Sequence, residues 1–358
     1  MKEKLGIFIL NHNGIKWLEK NLNNIIEHSQ NNKIIIIDNN SNDNSVEYIR
    51  SNFPQISIKF NYKNYGFSKG YNNILLKEFN FEYFILLNND VVLTKDWLNP
   101  MLDLIKKDEI SIIQPKILNL LNKKQFDYAG AAGGFIDITG IPFCRGRILN
   151  KIETDYGQYN TNMNIFWASG CCFMIKSELF QKLNGFDEDF FMHQEEIDLC
   201  WRAQAMNKKI YYCSESTVYH HGGGTLESSN PIKHFYNHRN SLLLLFKNLP
   251  IHLLFTVFPI RLMIDYLIVI YYFMTGLFYF IFTSPLYFQK DYIPSKKKGI
   301  RKIQTSILIL IAHMSFLLLF RKFTKKRSPI NAKNIYPRSI IFDYYLMKKK
   351  KFSDLKKF

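Results

Sequence analysis

Short apolar runs alternate with stretches of helical spacing through the first half of this 358-residue chain, and that alternation restricts the fold more than any other feature. Residues 7–10, 34–37, 56–60 and 84–87 read as buried strands, rich in Ile and Phe and bounded by Asn, Asp or Gly. Between them, 14–28, 46–52 and 68–79 carry helical spacing, with Asp43 or Ser45 placed to cap the second. The alternation predicts a parallel sheet with helices on both faces. Ligands of such sheets bind beyond the carboxyl ends of the strands. Three of the strands run there into polar clusters, at Asn11 to Asn13, Asp38 to Ser41 and Asn88 to Asp90.

A second signal lies between Gly185 and Thr225. Six acids (Asp187, Glu188, Asp189, Glu195, Glu196, Asp198) and three histidines (His193, His220, His221) fall within 35 positions. A solvated acidic face is the plain reading of such a run. Here the acids are interleaved with Phe186, Phe190, Phe191, Met192, Ile197, Leu199 and Trp201, which favour burial. Carboxylates held together in apolar surroundings imply a cation or a reactive group to hold.

The net charge of +17 invites a nucleic-acid function, but its distribution argues otherwise. Residues 283–358 hold 19 of the 47 Lys and Arg and only three of the 30 acids, which leaves the preceding residues at +1. The basic residues flank two apolar stretches, 262–282 with Asp265 as its only charge and 303–320 with none. The first is long enough to cross about 30 Å of hydrocarbon. A full crossing would put Lys290, Lys296, Lys297, Lys298, Arg301 and Lys302 outside, against the positive-inside tendency. A re-entrant hairpin around Gly276, or helices lying in the interface, keeps them cytoplasmic and on anionic lipid. The expected division is a catalytic domain over 1–240 and a helical, basic, membrane-associated tail over 241–358. Five scattered cysteines form no disulfide framework and fit a reducing cytoplasm, and the first apolar run is too short for a secretory signal.

Single motifs narrow the chemistry. A carboxylate at Asp38 can accept from the ring N–H of a uracil or thymine, although an Asx turn would use the same residue. Asn64, Gly66 and Gly70 form a two-glycine loop ahead of a helix whose N-terminus could face phosphate. Oxygen ligands at Asp90 suit a hard divalent ion on a diphosphate. With one acid there, a second ligand must come from elsewhere, and His220 or His221 would admit Mn²⁺ as well as Mg²⁺.

Taken in order, Asn11 to Asn13, Asp38 to Ser41, the Asn64 loop, Asn88 to Asp90, Gly185 to Glu188, Glu195 to Asp198 and Val218 to His220 resemble the family 2 glycosyltransferases. The rhamnosyltransferase-like branch of bacterial surface-polysaccharide synthesis is the nearest in pattern. The resemblance implies the GT-A fold (a Rossmann-like mixed sheet with helices on both faces), a nucleotide-diphosphate-sugar donor, a divalent metal, and inversion at the anomeric carbon. It assigns Asn11, Asn13, Asp38, Asn39, Ser41, Asn64, Gly66, Gly70 and Asn89 to the donor, and Asp90 and His220 to the metal. Gly170, Cys171, Asp187, Glu188, Asp198 and Arg202 fall to the acceptor, and Glu195 with Glu196 to catalysis. The family's Asp-x-Asp is Asn88-Asn-Asp90 here, and its second catalytic acid, usually Asp, is Glu196.

An acceptor hydroxyl must lose its proton as it attacks, and a placed carboxylate takes it. Glu196 is the expected base, with Glu195 second. Glu195, Asp198 and Arg202 share a helical face, so Arg202 either pairs with these acids or touches phosphate. A sugar-nucleotidyltransferase needs a basic Gly-rich loop where Asn11 to Gly14 stand, and a processive synthase needs a Gln-x-x-Arg-Trp signature that is missing. The expected donor is dTDP- or UDP-linked, with rhamnose implied by resemblance only. The expected acceptor is a lipid-linked or growing glycan at the cytoplasmic face of a bacterial inner membrane.

Overall fold

The computed structural model describes residues 3–222, 230–281, 292–329 and 334–355. It divides into one unit made of Met1–Thr225 with Ala332–Phe358, and a second, Leu226–Asn331. The first opens with β1 (Glu3–Asn11), α1 (Ile15–His28), β2 (Lys33–Asp38), α2 (Ser45–Asn52), β3 (Ser57–Phe60), α3 (Gly66–Leu75) and β4 (Phe81–Asn88). β1 pairs in parallel with β2 and β4, and β2 with β3, as the alternation predicts. Then come β5 (Val91–Leu93), α4 (Leu98–Ile105) and β6 (Ile110–Asn119), followed by four short strands: β7 (Gly134–Asp137), β8 (Pro142–Cys144), β9 (Arg147–Ile148) and β10 (Lys151–Ile152). β11 (Met163–Ile165), β12 (Cys172–Lys176), α5 (Ser177–Lys182), α6 (Glu195–Ala205) and β13 (Lys209–His220) finish this stretch.

The main sheet runs β11-β13-β6-β12-β4-β1-β2-β3, with β5 on β13. β12 lies antiparallel to β4 and β6, so the sheet is mixed. The central strands β2, β6 and β12 are buried almost throughout, which is why they read as apolar runs, whereas the edge strand β3, expected to be buried, leaves Lys59 and Phe60 exposed. Ile7, Ile9, Ile36 and Leu87 join Leu18, Leu22 and Ile25 of α1 in an aliphatic layer. The opposite layer is aromatic: Phe8 meets Phe84 edge-on at 5.3 Å, Phe84 meets Phe180, and Phe180 meets Phe186.

The second unit is helical, with α7 (Ile232–Asn248), α8 (Ile251–Ile281) and α9 (Tyr292–Lys326). α8 and residues 296–326 are each long and apolar enough to cross a membrane. α8 runs unbroken through Gly276, which corrects the expected re-entrant turn there. A Cβ on Gly276 would stand 3.0 Å from the Gly299 carbonyl, so that glycine lets α8 approach α9 closely. The exposed arc of α8 is apolar along its length, through Phe255, Met263, Leu267, Tyr271, Met274 and Phe278. A helix lying in the interface would show a polar face instead. Lys298 and Lys302 sit over Tyr279, and Lys296 over Phe280. Residue 282, with Lys290 and Asp291, lies outside the described residues.

Asp265, the lone charge of its apolar stretch, is fully buried and ties three helices together. Its Oδ1 lies 2.9 Å from His238 Nδ1 and accepts from Arg261 Nε at 3.1 Å, while Oδ2 lies 3.1 Å from His313 Nε2. By residue type His238, Asp265 and His313 could take a cation. Arg261 already supplies a positive charge to that carboxylate, so the cluster closes on itself.

The chain then returns to the first unit. β14 (Ile335–Tyr336) pairs in parallel with β7 and completes a second sheet, β10-β9-β8-β7-β14, and α10 (Ile340–Tyr345) follows. Asp137 Oδ2 accepts from the Ile340 amide at 2.8 Å, and Phe352 packs on Phe135 with ring centroids 5.0 Å apart. A single helical tail over 241–358 is therefore incorrect, because 334–355 belongs with the catalytic fold. Tyr336 and Phe352 are buried there.

Candidate active site

The carboxyl ends of β1, β2 and β4 lie side by side, with Asn11 opposite Asp38 and Leu10 opposite Asn88. Asp38 is buried. Its Oδ2 accepts from the Ser41 amide at 3.1 Å, and its Oδ1 is buried with no hydrogen-bond partner. Asn11 donates to Ser41 Oγ at 3.2 Å and accepts from Asn89 Nδ2 at 2.9 Å. Asn13, in the left-handed region, accepts from the Asn42 amide at 2.8 Å. Ser41 Oγ also receives the Asn13 amide, at 3.0 Å. These side chains brace the loop that aims Asp38. Asp43 accepts from the Ile15 amide at 2.9 Å, so it caps α1 as well as bonding Ser45 at the start of α2.

Three expected donor contacts prove internal. Asn39 donates to Asn64 Oδ1 and the Gly66 carbonyl and accepts from Asn61 Nδ2 and the Tyr65 amide, at 3.0–3.2 Å. An amide side chain has four such places, so none is left for a ligand. The α3 N-terminus, expected to face phosphate, is covered: the Phe191 carbonyl accepts from the Phe67 amide at 2.8 Å. A Cβ on Gly66 would stand 2.6 Å from that carbonyl, so the glycine admits protein backbone rather than a diphosphate. Gly70 lies against Leu10 and Asn39. Lys69 reaches Glu188 at 2.8 Å in a half-exposed pair.

Asp90 and His220 do meet. His220 Nε2 lies 3.2 Å from Asp90 Oδ1, and both residues are buried. The other imidazole nitrogen, Nδ1, lies 3.0 Å from Asp127 Oδ1, a residue the sequence reading missed. A neutral ring donating Nδ1–H to Asp127 turns a lone pair toward Asp90, acceptor against acceptor. A positive charge belongs at that contact, either a proton or a metal ion. Burial disfavours the charged ring, but Cys171, Asp90 and Asp127 favour it more, and the balance holds its pKa well above the ordinary histidine range. His221, the other candidate ligand, packs on Trp17 at 4.4 Å instead. Gly223 to Thr225 lie outside the described residues.

Glu195 and Glu196 start α6. Phe191, His193 and Gln194, all with φ between 61° and 70°, turn the chain sharply before them. Such conformations cost about 1–3 kcal/mol each and persist only where the surroundings impose them. Oε2 of each glutamate is buried with no hydrogen-bond partner. Burial pushes Glu196 up to about 7, and burial with the Glu196 charge beside it drives Glu195 well above the carboxylate range. Asp198, by contrast, is closed: Arg202 Nε donates to it at 2.7 Å, and the rest of that guanidinium donates to the Leu183 and Gly185 carbonyls. The pair is a brace, which corrects its assignment to the acceptor. Asp187 caps a short 3₁₀ turn by accepting from the Asp189 amide. Cys171 is core, its thiol pushed up to about 12 by burial, while Gly170 stands over the Phe67 ring.

Direct contacts join the two halves of the site. Asn39, next to Asp38, holds Gly66, which lies against Phe191, four positions before Glu195. The Cys171 carbonyl accepts from the Asn88 amide at 2.9 Å, and Cys200 of α6 contacts the Ala168 amide. Residues 6–183 match the model of "Glycosyl transferase family 2". The chain carries a family 2 glycosyltransferase domain. It is 26% identical to the low-salt glycan biosynthesis hexosyltransferase Agl10 of Haloferax volcanii, over 62% of this chain and 68% of that one. Against the rhamnosyltransferase WbbL of Escherichia coli it is 22% identical, over 58% of this chain and 79% of WbbL. In fold it resembles GalNAc-T7, solved with UDP, GalNAc and Mn²⁺, at a TM-score of 0.55 and 15% identity. That match covers 88% of this chain and 57% of GalNAc-T7. The fold is GT-A-like.

Proposed function

We propose that this chain is an inverting transferase that moves a sugar, rhamnose first among the candidates, from a dTDP- or UDP-linked donor to a lipid-linked or growing glycan. The observation that carries this reading is the set of buried carboxylate oxygens without partners, Asp38 Oδ1 at the end of β2 and Glu195 Oε2 and Glu196 Oε2 in the first turn of α6, joined through Asn39, Gly66 and Phe191. A buried acceptor without a donor is costly, so the oxygens of Asp38 and Glu196 are matched to an N–H or O–H that a ligand brings. Asp38 fits the ring N–H of a pyrimidine base. Glu196 fits the acceptor hydroxyl, whose proton it removes as the oxygen attacks the anomeric carbon. Glu195, protonated beside it, keeps the pair from carrying two adjacent charges.

Asp90 and His220 fit a divalent cation, Mg²⁺ or Mn²⁺, because their facing acceptors call for positive charge. Bound there, it would offset the charge of the departing nucleotide diphosphate. The rhamnose assignment leans on the likeness to WbbL and on the motif pattern. The apolar arc of α8, with Lys325 and Lys326 in the last turn of α9, supports attachment to an anionic membrane at the cytoplasmic face, where a lipid-linked acceptor would be met. A thermal-shift screen of nucleotide sugars, with and without Mn²⁺, tests the reading, since ligands of the folded state raise its stability. Stabilisation by dTDP- or UDP-sugars that requires Mn²⁺ is the expected result, and indifference to every nucleotide sugar would refute it.

A further inference from the structure

We infer that Asp127 positions His220 for a metal ion, holding the imidazole so that Nε2 faces Asp90 as an electron-pair donor. This rests on the metal reading of Asp90 and His220. Asp127 lies in the connection between β6 and β7, far in sequence from both, and is 1% exposed. Its amide donates to the Ile117 carbonyl at 3.0 Å, which fixes it to β6. Its Oδ1 accepts from the Ala129 amide at 2.8 Å and lies 3.0 Å from His220 Nδ1, so the oxygen is itself held by the turn it forms. His220 is fixed from the other side, opposite Asn119 of β6 and Val91 of β5. The result is a line of carboxylate, imidazole and carboxylate drawn from three segments.

A carboxylate on the far nitrogen of a metal-binding histidine settles which nitrogen carries the proton and makes the other a better donor. This site has particular use for that help. With Asn88 in place of an acid, it offers one carboxylate where the family has two, and the negative charge at Asp127 is buried just behind the ligand. Asp127 would thus restore, from behind, part of the pull on the cation that the first position lacks.

The test uses the full chain in detergent. Mn²⁺ affinity is read by electron paramagnetic resonance of the free ion, with UDP present, alongside turnover as a function of Mn²⁺. Asp127→Asn keeps an oxygen for the Ala129 amide and the ring while removing the charge. Its expected effect is a loss of Mn²⁺ affinity of about 10–100-fold, with an equal rise in the Mn²⁺ needed for half-maximal turnover and little change in kcat at saturating Mn²⁺. A role confined to stability would lower the melting temperature and leave that affinity where it was. Asp127→Ser, which also keeps an acceptor for the turn, takes its place if the Asn variant does not fold. Wild-type affinity in these variants, with affinity lost in His220→Ala, overturns the inference and spares the site. Equal Mn²⁺ binding by the wild type and His220→Ala removes the metal site and the inference with it.

Discussion

The two units bury acids in opposite ways. In the catalytic unit, Asp38, Glu195 and Glu196 each keep an oxygen out of water with nothing bonded to it. In the helical unit Asp265 is just as buried, yet an arginine and two histidines surround it. An unsatisfied buried acceptor lowers stability and persists where a ligand supplies its partner, whereas a satisfied one holds structure and offers a ligand nothing. The same residue type, equally hidden, is therefore poised in one place and spent in the other. Asp198, closed by Arg202 a single turn from Glu195, repeats the contrast within one helix.

Four measurements would break or sharpen that contrast. Glu196→Gln should keep donor binding and lose about 10²–10⁴-fold in turnover, the usual worth of a placed base. Near-normal turnover would move the proton transfer to Glu195. Asp265→Ala should leave Arg261 buried without its counter-charge and lower stability by about 3–5 kcal/mol, visible as a fall in melting temperature in detergent. A nucleotide sugar should bind that variant normally at temperatures where it stays folded.

The third measurement is a pH series. Glu196, with its pKa raised to about 7 against 4.5 for an ordinary glutamate, takes a proton only once ionised, so turnover should climb as pH rises through 7. The folded chain holds that proton more firmly than the unfolded one. Stability should accordingly fall as pH rises from about 4.5 to about 7, and Glu196→Gln should flatten both trends. The smallest effect concerns Lys69, whose exposed pair with Glu188 is worth about 0–1 kcal/mol. Lys69→Ala should leave nucleotide affinity unchanged, and a tenfold loss would return the Asn64 loop to the phosphates.

The strands and the three polar clusters at their ends were legible because each is written locally, as an apolar run stopped by polar residues; the meeting of Asp90 with His220 came only from the family pattern, since the residues alone left His220 and His221 both open. Three things were not. The cover on the α3 N-terminus comes from Phe191, over a hundred residues away. The pairing of Ile335 with Ile136 depends on a chain that departs and returns. Asp127 sits in Gln125 to Gly130 with no periodicity or motif to mark it, and its partner arrives only when β13 lies beside β6. Glycine was misleading for a related reason: Gly66 and Gly70 do permit close approach, but what approaches is the protein itself.

The return of residues 334–355 to the first unit carries a topological consequence. Both feet of the α7–α9 excursion are planted in one folded body, so they open onto the same aqueous compartment. Whatever route the excursion takes through lipid, it traverses the bilayer an even number of times, zero included.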